Sequence, residues 1–207
     1  MCSHDMAVER HGTAERRGGA KSGEPASSIA LTVNGRRQEL VVGRDFPSGA
    51  SLAEVLRDRL GLTGVKLSCD RGACGACTVV MDRRPVLSCM TLAVQADGAD
   101  VLTVEGLAAD DPLIVAFATQ ARPGHGTAIQ CGFCTPGMVM AAKALLLRVA
   151  RPTREQVVAA LAGNICRCGC YEGIIDAVVR AGESAGVGAG AAGETESLDP
   201  PVGGSVP

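Results

Sequence analysis

The chain has 207 residues, a formal net charge of −2 at pH 7 and only 2% aromatic residues, with no tryptophan. A nearly neutral chain without a basic run lacks the positive surface that binds nucleic acid, and so few aromatic side chains offer almost no stacking surface for unpaired bases. No apolar stretch reaches membrane-spanning length, since the nearest, residues 138–147, is interrupted by Lys143. The composition therefore argues against a nucleic-acid partner and against a membrane span.

Both ends of the chain are predicted to lack a packed core. Residues 1–27 are polar and carry no hydrophobic periodicity, which is typical of a disordered leader. Arg16-Arg17 suggests a twin-arginine export signal, but no apolar segment follows, so we expect a cytoplasmic location. Residues 182–207 are rich in Gly, Ala, Ser and Pro and predict a flexible tail. The Gly-x-Gly-x-x-Gly run at 188–193 matches the dinucleotide fingerprint in letters alone, because no predicted strand precedes it.

Residues 28–104 predict a mixed α and β domain. Apolar residues alternate on both sides of Asn34-Gly35, which is a strong signal for a type I′ β-hairpin. Ser51 and Glu54 form a capping box at the start of a helix that ends before Gly61. Further strands are expected at 78–81, 85–89 and 101–104. Two hairpins around one helix predict a β-grasp sheet.

Residues 105–181 predict a helical domain. Asp111-Pro112 and Thr135-Pro136 are typical helix starts, and Thr153 with Gln156 forms a capping box. We expect four helices, at 112–120, 135–147, from 153 onward and at 172–181. The fold class is therefore α+β, with an N-terminal β-grasp domain of the plant-type ferredoxin kind followed by an all-α four-helix bundle.

Eight of the ten cysteines fall into two groups. The first has the C-x4-C-x2-C…C spacing of a plant-type [2Fe-2S] centre, and its members are Cys69, Cys74, Cys77 and Cys89. Four thiolates must converge on two irons, which a regular helix or strand cannot arrange. Gly72 and Gly75 permit left-handed backbone angles in this loop and bring N–H groups close to the sulfurs. The pattern predicts one [2Fe-2S] cluster.

The second group is Cys131, Cys134, Cys166 and Cys168, with Cys170 as a spare. Each pair lies at the end of a predicted helix, where N–H groups and the helix dipole favour an anionic cluster. Disulfides are disfavoured because no secretory signal is present. Zinc remains an alternative, since C-x2-C units also occur in all-cysteine zinc sites. A Rieske centre needs two histidines, and only His125 lies near.

Three segments in chain order resemble one protein family. They read CDRGACGACT at 69–78, QCGFCTPGM at 130–138 and GNICRC at 163–168. They are similar to the iron-sulfur small subunit, with two [2Fe-2S] clusters, of molybdenum hydroxylases, the family of carbon monoxide, xanthine, isoquinoline and aldehyde oxidoreductases. The resemblance covers residues 28–181 and excludes both chain ends.

The resemblance implies a division of labour among subunits. A large partner subunit would hold a molybdenum-pterin cofactor and hydroxylate the substrate, and single electrons would pass through both clusters to FAD on a medium subunit or to another acceptor. Gln130 would hydrogen-bond the pterin, and the Cys168 sulfur would contact it. Cys131, Cys134, Cys166 and Cys168 would ligate the inner cluster, and Cys69, Cys74, Cys77 and Cys89 the outer one. No residue of this chain is expected to be catalytic, and no substrate turnover is expected from it alone.

Three features depart from the family pattern. Gly169-Cys170-Tyr171 stands where Thr-Gly-Tyr is usual, so Cys170 is interpreted as a free thiol rather than an alternative ligand. Residues 122–126 lengthen the connection before Gln130 and are interpreted as a tolerated surface loop. Asp111 replaces the usual histidine before Pro112, with no chemistry assigned to it.

Two functions from different classes remain open at this point. The first is the electron-transfer subunit of a molybdenum hydroxylase. The second is a self-standing two-cluster ferredoxin or redox sensor that docks transiently. An apolar patch around Gln130 would favour a permanent partner, whereas an acidic, solvated rim would favour transient docking. A structural zinc protein is a third, weaker alternative. The sequence predicts neither the substrate nor the acceptor.

Overall fold

The structure is a computed structural model that describes residues 27–185 except 123 and 125. The predicted leader, apart from residue 27, and the predicted tail beyond residue 185 lie outside these residues, as do Cys2, His125 and the glycine run at 188–193. The strands are β1 (Ser28–Val33), β2 (Arg36–Val41), β3 (Thr78–Met81), β4 (Arg84–Leu87), β5 (Asp100–Leu102), β6 (Ala121–Arg122) and β7 (Gly126–Thr127). The helices are α1 (Leu52–Glu54), which continues as a π-helical turn over Val55–Arg59, α2 (Pro112–Thr119), α3 (Thr135–Leu146), α4 (Arg154–Leu161) and α5 (Tyr171–Ala185).

The first five strands form one sheet in the order β2-β1-β5-β3-β4. β1 and β5 are parallel, and the other neighbouring pairs are antiparallel. The predicted hairpin at Asn34-Gly35 is confirmed, with both residues at positive φ (51° and 75°) as a type I′ turn requires. The sheet therefore places the loop that precedes β3 at one end of its central strands.

The helix at Leu52 covers one face of this sheet. The predicted capping box is confirmed, because the Ser51 hydroxyl accepts from the Glu54 N–H while the Glu54 carboxylate accepts from the Ser51 N–H. The helix widens into a π-turn, and Leu60 N–H donates to Val55 O. Its residues Leu52 and Leu56 are fully buried against the strands. This packing forms the first hydrophobic core, to which Cys77 also belongs.

Two predicted strands are shorter in the structure. The strand expected at 85–89 ends at Leu87, and Cys89 lies in a 3-10 turn over Ser88–Met90. The cause is the buried Ser88, whose hydroxyl donates to the Cys77 carbonyl at 2.7 Å and curves the chain toward Cys77. The strand expected at 101–104 ends at Leu102, because Thr103 N–H donates to the Asn34 side chain instead of a strand partner.

The second half contains the four expected helices, α2 to α5, around a second hydrophobic core. α3 lies at the centre and contacts α2, α4 and α5. Cys134, and not Thr135 as predicted, is the N-cap residue of α3, and it makes no side-chain capping bond. The capping box of Thr153 with Gln156 is confirmed at the start of α4. The N-terminus of α3 therefore presents its backbone N–H groups without a side-chain cap from Cys134.

Helix α5 is longer than the sequence predicts. It continues through Ala185, past Gly182, where the flexible tail was expected to begin. Gly182 is buried, and a Cβ there would lie 2.8 Å from Cδ of Pro152. The glycine therefore permits close packing within the helix and does not end it. No helix in the described ranges is both long and apolar enough to cross a bilayer.

The two halves pack directly on each other. Val80 of β3 forms a small buried cluster with Met140 and Ala144 of α3. At the far end of α3, the Arg83 guanidinium donates to the Leu147 carbonyl at 2.7 Å. The helix is thereby held along its length on the sheet, with its N-terminus toward the loop before β3.

Candidate metal centres

The loop between α1 and β3 carries three cysteines of the first group, and the 3-10 turn after β4 carries the fourth, Cys89. The Cys69 and Cys74 thiols lie within hydrogen-bonding reach of each other, and so do those of Cys77 and Cys89. Ala73 N–H donates to Cys69 Sγ at 3.3 Å. The sulfurs thus form two pairs, and the loop turns backbone donors toward Cys69.

The protonation of these thiols follows their surroundings. Backbone N–H donation, led by that of Arg71, lowers the pKa of Cys69 to about 7. Burial raises the pKa of Cys77 to about 11, because a thiolate there loses its hydration. Ligation requires thiolates, so iron binding would displace a proton from Cys77 in particular.

Positive φ angles shape this loop. Asp70, Gly72 and Gly75 adopt φ values of 50°, 74° and 70°. Gly75 must also be small, because a Cβ there would lie 2.6 Å from Nδ2 of Asn164 and 2.7 Å from the Gly163 carbonyl. The sequence predicted Gly75 from its backbone angle and from the approach of N–H groups to the sulfurs. The structure adds close contact with the second centre.

The second cysteine group assembles at the N-terminus of α3. Cys131 pairs with Cys168, and Cys134 pairs with Cys166, each within hydrogen-bonding reach. Tyr171, at the start of α5, accepts the Cys166 N–H through its hydroxyl at 2.8 Å. Segments more than thirty residues apart in the chain therefore share one site at the end of α3.

Two thiols of the second group have pKa values that are shifted in opposite directions. Phe133 N–H and the Cys168 thiol lower the pKa of the exposed Cys131. Burial, with a smaller effect from Cys166, raises the pKa of Cys134 to about 12. For Cys166, burial is the largest influence and raises the pKa, but several N–H donors and the Cys134 thiol together outweigh it.

Cys170 is buried in the helical core, and its thiol lies within hydrogen-bonding reach of Cys166. Burial raises its pKa first, followed by its proximity to Cys166. Its interpretation as a free thiol rather than an alternative ligand stays a prediction. All nine cysteines in the described part of the chain are free of disulfides.

The donor set of both groups fits a diiron cluster, and the zinc alternative stays open. The thiols meet in twos, and a [2Fe-2S] cluster needs two protein thiolates on each of its irons. Nearby N–H donors suit the negative charge of thiolate-bound iron.

Beside the second group in sequence stand several exposed apolar residues and one exposed charged residue, Arg167. Gln130 and Cys131 are exposed, and beside them in sequence Ile129 and Phe133 are also exposed, Phe133 to 46%. Ile165, which directly precedes Cys166, is 55% exposed. This set of residues, called the Gln130 face below, therefore combines exposed apolar groups with the outermost thiol of the second centre.

Two residues make contacts that the sequence analysis did not predict. Asp111 caps α2 by accepting the Leu113 N–H at 2.9 Å and forms a partly buried ion pair with Lys143 of α3 at 2.7 Å. Tyr171 positions the Cys166 backbone, as described above. The aspartate after a loop and before Pro112 signalled the cap, but the ion-pair partner lies 32 residues away and leaves no local signal. At the two ends of the added segment, β6 and β7 are antiparallel, and Arg122 pairs with Gly126.

The chain matches two protein-family profiles that together cover most of its length. Residues 31–102 match the 2Fe-2S iron-sulfur cluster binding domain, and residues 103–179 match the [2Fe-2S] binding domain. The two matches meet between β5 and the 3-10 turn that follows it.

Curated proteins and solved structures are similar over the same region. The chain is 46% identical over 155 residues to the nicotine 6-hydroxylase small subunit of Paenarthrobacter nicotinovorans, covering 74% of this chain and 88% of that protein. It is 41% identical over 144 residues to the nicotinate dehydrogenase small FeS subunit of Eubacterium barkeri, covering 70% and 87%. The crystal structure of quinoline 2-oxidoreductase from Pseudomonas putida 86 superimposes with a TM-score of 0.69 at 39% identity, covering 79% of this chain and 98% of that chain. The chain belongs to the family of iron-sulfur small subunits of molybdenum hydroxylases, which carry two 2Fe-2S domains.

Proposed function

We propose that this chain is the electron-transfer subunit of a heteromeric molybdenum-containing hydroxylase. It takes single electrons from a molybdenum-pterin site on a large subunit and passes them, through two [2Fe-2S] clusters, to FAD on a medium subunit or to another acceptor. The observation that carries this function is the direct backbone connection between two sets of four converging thiols. Oxidoreductase small subunits that are similar to this chain over most of their own length support it.

The proposal extends to the fold and the domain division, which the sheet and the four helices support. The sheet half, predicted at 28–104, is a β-grasp ferredoxin domain, and the helical half, predicted at 105–181, is a four-helix bundle with the inner cluster at one end. The outer cluster is held by Cys69, Cys74, Cys77 and Cys89, and the inner one by Cys131, Cys134, Cys166 and Cys168. We also propose a cytoplasmic location, which the free cysteines of the described residues favour.

The chemistry divides between the clusters and the chain. Each cluster, when bound, accepts and releases one electron at a time. The chain supplies thiolates, and in the proposed ligation Cys69 with Cys74 would hold one iron and Cys77 with Cys89 the other, which the pairing of these thiols supports. N–H groups such as that of Ala73 compensate negative charge on the sulfurs, which raises the reduction potential of the site they face.

A backbone hydrogen bond joins the ligand-bearing segments of the two centres. Ile165 N–H donates to the Cys74 carbonyl at 2.9 Å, and Cys166 follows Ile165 in the chain. A continuous path of covalent bonds and one hydrogen bond therefore runs from the Cys74 sulfur to the Cys166 sulfur. This path supports electron transfer between the two halves.

The Gln130 face is the proposed docking site of the large subunit. It exposes apolar side chains around the second centre, whereas a partner that docks only transiently would need a charged, solvated rim. Gln130 lies exposed on this face, where its amide can hydrogen-bond a pterin held by the partner. The Cys168 sulfur is proposed as the second contact to that cofactor. The apolar face favours this function over a self-standing ferredoxin.

The electron exit is proposed to lie beside Cys89. Met90 is 61% exposed and Leu92 is 43% exposed. The Met90 side chain also covers the cysteine loop, since a Cβ on Gly72 would lie 3.0 Å from Met90 Cγ. This second apolar site is where a flavin subunit or another acceptor would approach the outer cluster.

The test is purification of the native complex from its source under anaerobic conditions. We expect the chain to co-purify with a large subunit that contains molybdenum, with about four irons per copy of this chain. Replacing Phe133 with Asp should release the chain from that complex while its clusters remain. A chain that purifies alone with both clusters, and binds no molybdenum protein, would instead support the self-standing ferredoxin.

A further inference from the structure

Asn164 is a buried polar side chain between the two candidate centres. It is 8% exposed and stands two residues before Cys166. Its Nδ2 donates to the Gly75 carbonyl at 2.9 Å and lies 3.4 Å from Thr78 Oγ1. A side chain from the segment that carries the second centre therefore holds the backbone of the loop that carries the first.

The Gly75 carbonyl is a shared contact for both ligand segments of the second centre. Besides Asn164, it accepts the Thr78 N–H at 3.1 Å and the Thr78 hydroxyl at 2.7 Å. Gly137, in the first turn of α3 after Cys134, also packs closely against the Gly75 carbonyl oxygen, since a Cβ built on Gly137 would lie 2.4 Å from that oxygen. One peptide group between Cys74 and Cys77 thus receives contacts from both sides of the second centre.

The neighbouring hydrogen bond depends on this arrangement. Ile165 N–H donates to the Cys74 carbonyl, but the Ile165 side chain is 55% exposed and adds little packing that would hold it there. The buried amide of Asn164, one residue earlier, makes the fixed contact. Its removal would free the Ile165 backbone to move away from Cys74 without unfolding either core.

We propose that Asn164 is a positioning residue for electron transfer between the two centres. Its side-chain amide fixes the hydrogen bond from Ile165 to Cys74, and with it the separation and relative orientation of the clusters. The inference rests on the proposed function only in requiring a [2Fe-2S] cluster in each half. It does not depend on the partner subunit, the substrate or the final acceptor.

The test uses the full chain with both clusters, reduced chemically without any partner. In Asn164→Ala and Asn164→Asp, we expect the magnetic interaction between the two reduced clusters, seen as line splitting or faster spin relaxation, to weaken. The rate of electron equilibration between the clusters after flash photoreduction is expected to fall in parallel. Asn164→Asp keeps the shape of the side chain but removes the donor, so it separates loss of the hydrogen bond from loss of volume.

Asn34→Ala is the matched control. Asn34 also bridges distant segments, since its side chain donates to Thr103 Oγ1 at 2.9 Å and accepts the Thr103 N–H at 2.8 Å, and it lies in the β1–β2 turn away from both cysteine loops. This variant should lose stability and keep the wild-type magnetic interaction and rate.

The inference is overturned if the Asn164 variants keep both wild-type values, or if Asn34→Ala changes them equally. It is also overturned if Asn164 variants lose part of their iron while the fully loaded fraction keeps the wild-type interaction. A wild-type chain without iron would instead contradict the proposed function itself.

Discussion

The two candidate centres are built by different means. The first draws three of its four cysteines from a single loop, residues 69–77, whose shape comes from residues at positive φ. The second joins two chain segments at the end of α3, with Cys166 and Cys170 inside the helical core. The first centre is therefore mainly a local structure, whereas the second exists only once the helices have packed. Substitutions that disrupt the helical core should therefore impair the second centre before the first.

The largest effect is expected from removing one ligand of each centre. Cys74→Ser should abolish the cluster of the sheet half and leave the other, so that about half of the iron remains. Cys134→Ser should abolish the other cluster. It should also lower the free energy of unfolding more than Cys74→Ser does, because the Cys134 side chain is partly buried at the start of α3. Iron analysis and electron paramagnetic resonance, which resolves the two clusters, measure both results. Loss of both signals from either single variant would show that the centres are not separate.

A smaller effect is expected at the contact between the halves. In Gly137→Ala, the added Cβ would lie 2.4 Å from the Gly75 carbonyl oxygen, so α3 must shift away from the first loop. Overpacking of this kind typically costs about 1–3 kcal/mol. The matched control is Gly163→Ala, where a Cβ meets no atom within 4 Å. Denaturant unfolding followed by cluster absorbance should show a loss only for Gly137→Ala; equal stability of the two variants would contradict the close contact.

The thiols of the iron-free chain should differ within each centre. Cys69, with its pKa lowered to about 7, is largely thiolate at pH 8, whereas Cys77, with its pKa raised to about 11, stays protonated. Alkylation should thus reach Cys69 before Cys77, and Cys131 before Cys134, whose pKa is raised to about 12. As the pH rises from 8 toward 11, the difference between Cys69 and Cys77 should shrink. Peptide mapping after timed labelling measures the order, and faster labelling of Cys77 would contradict the geometry.

The smallest expected effect concerns Asp111 and is confined to the helical half. Asp111→Asn keeps a good N-cap but removes the ion pair with Lys143, and we expect a loss of about 0.5–1 kcal/mol. Asp111→Ala also removes the cap and should cost about 1 kcal/mol more. Urea unfolding of the loaded protein measures both. A larger loss of unfolding free energy for Asp111→Asn than for Asp111→Ala would contradict the assignment of both a cap and an ion pair to Asp111.

Local sequence signals predicted the local parts of this structure. The turn at Asn34-Gly35 and both capping boxes depend on residues within a few positions of each other, and the structure confirms them. The cysteine spacings likewise predicted the two groups that the structure brings together, while ligation itself stays a prediction. These features need no knowledge of tertiary packing.

The features that the sequence did not reveal are contacts between distant segments. Ser88 ends β4 early by bonding to Cys77, and Gly182 continues α5 because it packs on Pro152. Asn164 stands 89 residues from the carbonyl that it holds. A glycine commonly marks the end of a helix, so the local pattern favoured an end at Gly182, where packing decided the outcome.

The central claim is that each half of this chain holds one [2Fe-2S] cluster, and a spin count on the reduced protein tests it most directly. Anaerobically purified protein should contain about four irons and four acid-labile sulfides per chain, and full reduction should give about two unpaired spins in two distinguishable signals. Zinc in place of iron, or a single signal that accounts for all of the iron, would contradict it.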